Sequence, residues 1–253
     1  ISNMVDSFAW NDGNDMLTGL CDGRLKCWYY PNAIYVDKDL MDKALLIKEA
    51  NDIGKMAQIM QFHGNLVSIR RQDGSLATLG VSPYPKMLYE NVEINDFDKT
   101  IAMCRFVKDY ALWACLAAMS LYCRELNTAE IALASIDEAD KVQYINYIKE
   151  LPSEPSRNAA LAAYCKKFDE AENILLSNRL FYRAIKMNIK SYKWERALDI
   201  ALQNKTHVDT VIAYRARYLE QMGLEEDKQV FQQYSQSVDI DWDTIKAKIR
   251  SDK

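Results

Sequence analysis

The chain has 253 residues, enough for one large domain or two small ones. Hydrophobic residues make up 49% and charged residues 27%, a globular balance that argues against long disorder. The net charge of −4 gives the chain as a whole no electrostatic basis for capturing nucleic acid or an anionic membrane.

The N-terminal stretch ISNMVDSFAW has neither a basic start nor an apolar core, so no signal peptide is expected. It begins with Ile1 rather than Met, as expected of a piece of a longer chain. Two Asp-Gly turns follow. Met16 to Leu20 and Leu25 to Tyr30 flank Asp22-Gly23, and Leu66 to Arg70 and Leu76 to Val81 flank Asp73-Gly74. Asp-Gly supplies the positive φ angles of a tight hairpin, so two hairpins are predicted. The alternation over 55–61 adds a third strand beside the second hairpin. The string DMLTGLCDGRLKCWYYP resembles a β-propeller blade of the WD type, with Trp28 at the closing Trp position. Two hairpins within 80 residues cannot close a propeller. Residues 1–82 are therefore expected to be part of one.

Ser82-Pro83-Tyr84-Pro85 marks a boundary, because the prolines block strand continuation. Seven of the eight glycines lie at or before residue 80, and beyond the boundary the pattern is helical. Helices are predicted from Asp96 to Lys108, Leu112 to Arg124, Thr128 to Ile136 and Glu138 to Leu151. Pro152 and Pro155 interrupt, and Arg157 opens the next helix. Helices over 169–177, 180–189 and 195–203 continue the series with short joints. Thr206 starts a capped helix running to about Met222; another follows from Glu225, and Asp241 caps the last. Joints of two to four residues are typical of antiparallel helical hairpins. The longest apolar run, ALWACLAAMSLY from Ala111, is too short to span a bilayer and reads as a buried core helix.

Within the helical part the sequence repeats. YCRELNTAE from Tyr122 recurs as YCKKFDEAE from Tyr164, 42 residues later, and KWERALDIA from Lys193 is a weaker third copy. Each places a bulky residue three positions before an alanine: Leu126 and Ala129, Phe168 and Ala171, Trp194 and Ala197. A large side chain that fills a groove beside a small one that admits a neighbouring backbone suits a helix–helix seam. The fold expected is mainly α, a solenoid-like helical-hairpin array over 83–253 preceded by a small antiparallel β segment. Such arrays present extended binding surfaces.

Signals for chemistry are thin. His63 and His207 have no metal-ligand partner at helical or hairpin spacing, and no phosphate loop or nucleophile elbow is present. The six cysteines, at 21, 27, 104, 115, 123 and 165, include no CxxC and read as reduced, buried thiols. No catalytic residue, metal or cofactor is expected. One cluster stands out. Arg179, Arg183, Lys186 and Lys190 recur at spacings of four, three and four, on one face of a predicted helix, and Lys193 and Arg196 extend it. The plain reading is a solvated face opposite Leu180, Ala184 and Met187. The functional reading is a docking stripe for an acidic partner helix. Nucleic acid is disfavoured, because Phe181, Tyr182 and Trp194 fall where helix packing wants them. Trp242 is expected to anchor the last helix, either against the array or against another chain.

Long segments also carry a family resemblance. MCRFVKDYALWACLAAMSLYCRELNTAEIALASIDEADKVQYI from Met103, FYRAIKMNIKSYKWERALDIAL from Phe181, KTHVDTVIAYR from Lys205 and DWDTIKAKI from Asp241 resemble the C-terminal region of propeller-bearing intraflagellar transport proteins. The resemblance covers essentially the whole chain. It implies the end of a second WD-type propeller followed by a TPR-like helical tail. It also implies a non-enzymatic scaffold in the peripheral part of the intraflagellar transport B complex, in trains carried along ciliary microtubules. The partners implied are other subunits of that complex, with self-association through the tail. The places implied are cilium, basal body and cytoplasm. Nucleic acid, membrane insertion and a small-molecule substrate are not expected. A vesicle-coat scaffold of the COPI or clathrin type shares the architecture and is the alternative.

Overall fold

The computed structural model describes residues 4–49, 53 and 56–252. They divide into two compact units, one of Ile1–Glu150 with Tyr164–Lys166, the other of Leu151–Ala163 with Lys167–Lys253.

The first unit opens with a four-stranded antiparallel sheet in the order β1 (Val5–Trp10), β2 (Leu17–Cys21), β3 (Arg24–Trp28) and β4 (Leu45–Glu49). Cys21 faces Arg24 across the Asp22-Gly23 turn, whose φ values of 48° and 74° make it the tight hairpin predicted. Between β3 and β4 lie a 3-10 turn (Pro31–Tyr35) and helix α1 (Lys38–Lys43), capped by Asp37 through the Asp39 N–H. A second sheet has the order β5 (Gln58–His63), β6 (Leu66–Arg70), β7 (Leu76–Gly80). The third strand thus begins at Gln58; Lys55 lies outside the described residues. Ser7 Oγ accepts the Ile59 N–H at 2.9 Å and Asn11 Nδ2 donates to the Gly64 carbonyl at 2.8 Å, so the two sheets sit side by side.

β1 is a strand that alternation does not predict. Its apolar Phe8 and Trp10 face out, while Ser7 and Ala9 are half-buried, the reverse of the usual pattern. Another unforeseen element is α2 (Tyr84–Glu93). Pro83 is its N-cap and Pro85 lies in its first turn, where backbone N–H groups have no helical acceptor to lose. The prolines start a helix directly behind the sheet. Next come α3 (Phe97–Val107), α4 (Tyr110–Tyr122), α5 (Leu126–Ala134) and α6 (Ala139–Lys149). Every residue of α4 from Ala111 to Leu121 is buried, so the longest apolar run is the core of this unit. Full burial of Leu112 and Leu116 is worth about 1.5–3 kcal/mol each. Among the described residues no helix is long and apolar enough to cross a membrane.

An ionic cluster joins α1 to the helices of this unit. Lys141 Nζ lies 2.7 Å from Asp37 and 3.5 Å from Glu138, Lys43 pairs with the same Glu138, and the Tyr164 hydroxyl donates to Asp37 at 2.8 Å. Burial alone would raise the Asp37 carboxyl. Lys141, Tyr164 and the Asp39 N–H outweigh it and hold the group below its ordinary value. The Tyr164 ring stacks on Tyr144 at 5.7 Å.

The second unit takes most of α7 (Glu154–Tyr164), then α8 (Phe168–Ser177), α9 (Phe181–Lys190), α10 (Trp194–Gln203), α11 (Val208–Met222), α12 (Gln229–Ser237) and α13 (Trp242–Ser251). α7 begins at Glu154 rather than Arg157, because Pro155 fits its first turn and Ser153 Oγ accepts the Ser156 N–H. Thr206 is not the N-cap of α11; His207 holds that position, in a left-handed conformation and without a side-chain capping hydrogen bond. α12 begins four residues later than expected. Glu226 is held outside the helix by the Arg215 fork at 2.9 Å on both oxygens and by the Lys228 N–H at 3.2 Å.

Eight of the helix joints among the described residues share one geometry. Asn95, Arg124, Asp137, Lys166, Arg179, Tyr192, Lys205 and Gly223 are left-handed, with φ of 51–65°. In each case the next residue's N–H donates to a carbonyl five positions back, as in Glu125 to Ser120, Leu180 to Leu175 and Thr206 to Ala201. These are Schellman turns, which satisfy the carbonyls left open at a helix end. Gly223 is the one glycine among them. From Lys166 to Lys205 the left-handed residues are 13 apart, and α8, α9 and α10 each have 10 residues joined by three.

Candidate interaction surfaces

The 13-residue unit explains the repeat positions. Ala129, Ala171 and Ala197 are fully buried, as is Ala184, which sequence comparison had not paired with Phe181. Their bulky companions differ. Trp194 is 7% exposed, Leu126 is half-buried and Phe168 is 38% exposed, with Lys193 over its ring at 5.8 Å. The alanine therefore makes the close approach, and the large residue lies at the seam's edge except at Trp194. There Arg215 stacks over the indole at 5.6 Å and over Phe231 at 5.1 Å.

The predicted basic stripe is not wholly helical. Arg179 is the left-handed residue of the joint before α9, whereas Arg183, Lys186 and Lys190 belong to the helix. Spacing alone made Arg179 a helical residue, because an arginine gives no sign of a positive φ. Arg179 and Lys190 are exposed, and Arg183 and Lys186 are half-buried. The inner face of α9 is Tyr182, Ala184, Ile185 and Asn188, with Leu180 and Met187 packed on the same core. Arg196 does not extend the stripe freely. Its guanidinium holds Glu172 at 2.6 and 2.9 Å, and Asn188 donates to the same carboxylate at 2.7 Å. Burial opposes ionisation of Glu172, but Arg196 and Asn188 keep its carboxyl below the ordinary range.

A cleft of about 450 Å³ opens at one end of α9. Arg179, Arg183, Ser153, Asn204, Thr206 and Asp252 are among its walls. Beside it His207, buried, shares a 2.6 Å hydrogen bond from Nε2 with Asp252 and a 3.1 Å one from Nδ1 with Thr210. An ionised carboxylate only accepts, so the Nε2 hydrogen is donated to Asp252. This fastening of the end of α13 leaves no periodic signal in the sequence, since the partners are 45 residues apart.

Trp242 lies half-buried at the start of α13, edge-on to Tyr214 at 5.6 Å and under Arg217 at 5.9 Å. The fully buried side chain of α13 is Ile245. His63 pairs with Asp12, and among the described residues no group of three His, Cys, Asp or Glu could hold a metal ion. None of the six cysteines forms a disulfide. Cys21, Cys27, Cys104 and Cys115 are buried, and burial pushes the Cys27 and Cys104 thiols up to about 12, away from the reactive thiolate. Cys123 is exposed, so not every thiol is in the core.

The architecture is that of a β-propeller segment followed by a TPR-like array of helical hairpins. Residues 112–253 match the model of the IFT80/172/WDR35/WDR19 TPR domain, and residues 1–84 match that of the IFT80 second beta-propeller. The chain belongs to this family of intraflagellar transport proteins. It is 47% identical over 249 residues to the intraflagellar transport protein 80 homologs of Rattus norvegicus and Mus musculus. Those alignments cover 98% of this chain and 32% of each relative, so the chain spans about a third of their length. Intraflagellar transport protein osm-1 of Caenorhabditis elegans is 24% identical over 218 residues, covering 76% of this chain and 11% of that protein.

Proposed function

We propose that this chain is the scaffold end of an intraflagellar transport subunit, a non-enzymatic part of the peripheral B complex. In that role it supports train assembly and anterograde transport by protein–protein contacts of its helical array. The observation that carries the reading is the match of both segments, propeller and array, to intraflagellar transport proteins. It favours this role over that of a vesicle coat.

In this reading the propeller part ends near residue 82 and the array runs over 83–253. Ala129, Ala171 and Ala197, with Leu126, Phe168 and Trp194, set its seams, and Trp242 steadies the last helix. The stripe of Arg179, Arg183, Lys186 and Lys190 docks a partner. The partners are other subunits of the B complex, with a second copy of the tail as a further one. Nucleic acid, small molecules and membrane insertion have no part. The places of action are the cilium, the basal body and the cytoplasm.

The test is recovery of the tagged chain from ciliated cells with its bound proteins identified by mass spectrometry. Enrichment of other B-complex subunits over an unrelated helical-repeat control is expected. Recovery of none, or of coat subunits instead, would overturn the reading.

A further inference from the structure

We infer that Ser251, at the end of α13, is a phosphorylation site for a kinase that selects basic segments, and that its phosphate loosens α13 from α11.

α13 is a helix of 10 residues with one buried side chain, Ile245. The rest of its attachment to α11 and the cap of that helix runs through polar and aromatic edges. Lys248 pairs with Asp209, Asp252 with His207, and Trp242 meets Tyr214 edge-on. A helix held by so little apolar burial opens locally before the core beside it does.

Its last turn sets a serine among cations. Lys246, Lys248 and Arg250 stand five, three and one positions before Ser251, and Lys253 follows it by two in the sequence. Kinases choose substrates largely by such charge patterns, and cations on both sides of a serine suit an acidic substrate groove. Ser251 is exposed, with its hydroxyl donating to the Lys248 carbonyl at 2.8 Å. Asp209 holds Lys248 while α13 is docked, so the cation three positions before the serine is freed when the helix lifts. The reaction is phosphoryl transfer. The serine oxygen bonds to the γ-phosphorus of ATP as the bond to the β–γ bridging oxygen breaks, ADP leaves, and the hydroxyl proton passes to a base of the kinase.

The product carries about two negative charges at the C-terminal end of a helix, where the macrodipole favours cations. It stands one residue from Asp252 and three from Lys248. The phosphate therefore repels the carboxylate that His207 holds and competes with Asp209 for Lys248. Both fastenings at this end of α13 weaken together, and the helix lifts from that end toward Trp242 and Tyr214.

The experiment treats the intact chain with the catalytic fragment of protein kinase C and ATP, maps phosphate by tandem mass spectrometry, and compares hydrogen–deuterium exchange before and after. Phosphate on Ser251 is expected, with the amides of α13 exchanging about tenfold faster and those of α10 unchanged. Ser251→Ala should abolish the change. Ile245→Ala removes the buried anchor and no charge, and should speed incorporation at Ser251 about threefold, because the helix is lifted more often. Should that variant fail to fold by circular dichroism, Ile245→Val is read in its place, with a smaller increase in the same direction. No phosphate on Ser251 would overturn the site. An unchanged rate in the folded Ile245 variant, or unchanged exchange of α13 in the phosphorylated chain, would overturn the loosening. Slower exchange of α13 would reverse it, with the phosphate seated in the cleft that Ser251 and Arg179 both line.

Discussion

Replacing Lys141 by methionine tests whether the cluster around Asp37 holds the first unit together. The lysine's side chain is 16% exposed, and it faces Asp37 and Glu138, themselves 11% and 18% exposed. Methionine keeps the length and removes the charge. Loss of one member of a buried pair costs about 3–5 kcal/mol, because the other charge stays behind without its counter-ion. Here the lower end applies. Asp37 keeps the Tyr164 hydroxyl and the Asp39 N–H, and Glu138 keeps Lys43. A loss of about 3 kcal/mol lowers the melting temperature by roughly 6–12 °C, at 2–4 °C per kcal/mol for a protein of this size. Asp37→Asn combined with Lys141→Met should recover most of that loss, since asparagine still caps α1 and no charge is left alone. The sign of the pH dependence follows from the depressed Asp37 carboxyl. Its stabilisation is present above the unfolded value of 3.8 and disappears as pH falls through the lower folded one. The methionine variant lacks the cation, so the gap between variant and parent should begin to narrow as pH falls below about 4. Differential scanning calorimetry at pH 7 and at pH 3.5 measures both quantities. A loss under about 0.5 kcal/mol at pH 7, or a gap that persists unchanged in acid, would refute the reasoning.

Three further outcomes are expected. Ala171→Leu should overpack the seam at the start of α8 and cost about 1–3 kcal/mol, seen as a lower melting temperature; a variant as stable as the parent would mean that the seam yields freely. Arg124→Gly should raise stability by about 0.5–1 kcal/mol, because the left-handed conformation at φ 63° costs a non-glycine residue about 1–2 kcal/mol and the added freedom of the unfolded glycine offsets only part of that; urea titration measures it. Glu226→Gln should destabilise the chain at pH 7 and by less near pH 3. The Arg215 hydrogen bonds hold the Glu226 carboxyl below its ordinary 4.5, so its contribution is present above that value and lost as pH falls through the folded one. A destabilisation that is the same at both pH values would show that shape rather than charge matters there.

Elements punctuated by their own chemistry were legible in the sequence. Asp22-Gly23 and Asp73-Gly74 mark real hairpins: the first is a two-residue turn with both φ positive, and the second lies in a longer loop over 71–75 in which Gly74 alone is left-handed. Asp96 and Asp241 cap the helices they precede. Elements that run against the usual pattern were not. β1 turns its aromatics outward, and α2 begins with prolines that look like a stop. The 13-residue unit was hidden for a related reason. Its joints place Arg, Lys and Tyr where glycine is the usual left-handed residue, so no punctuation marks them, while the 42-residue repeat of Tyr-Cys drew attention to a longer spacing. Side-chain bonds across long separations, such as Arg215 to Glu226 and His207 to Asp252, have no periodic trace at all.

The unit length also accounts for the position of the cleft. Helices joined by turns of fixed geometry run back and forth, so every second joint falls at the same end of the stack. The joint holding Arg179 and the joint holding Asn204 and Thr206 are two units apart, and both line the cleft. Each joint there contributes one left-handed residue, Arg179 or Lys205, and both are exposed.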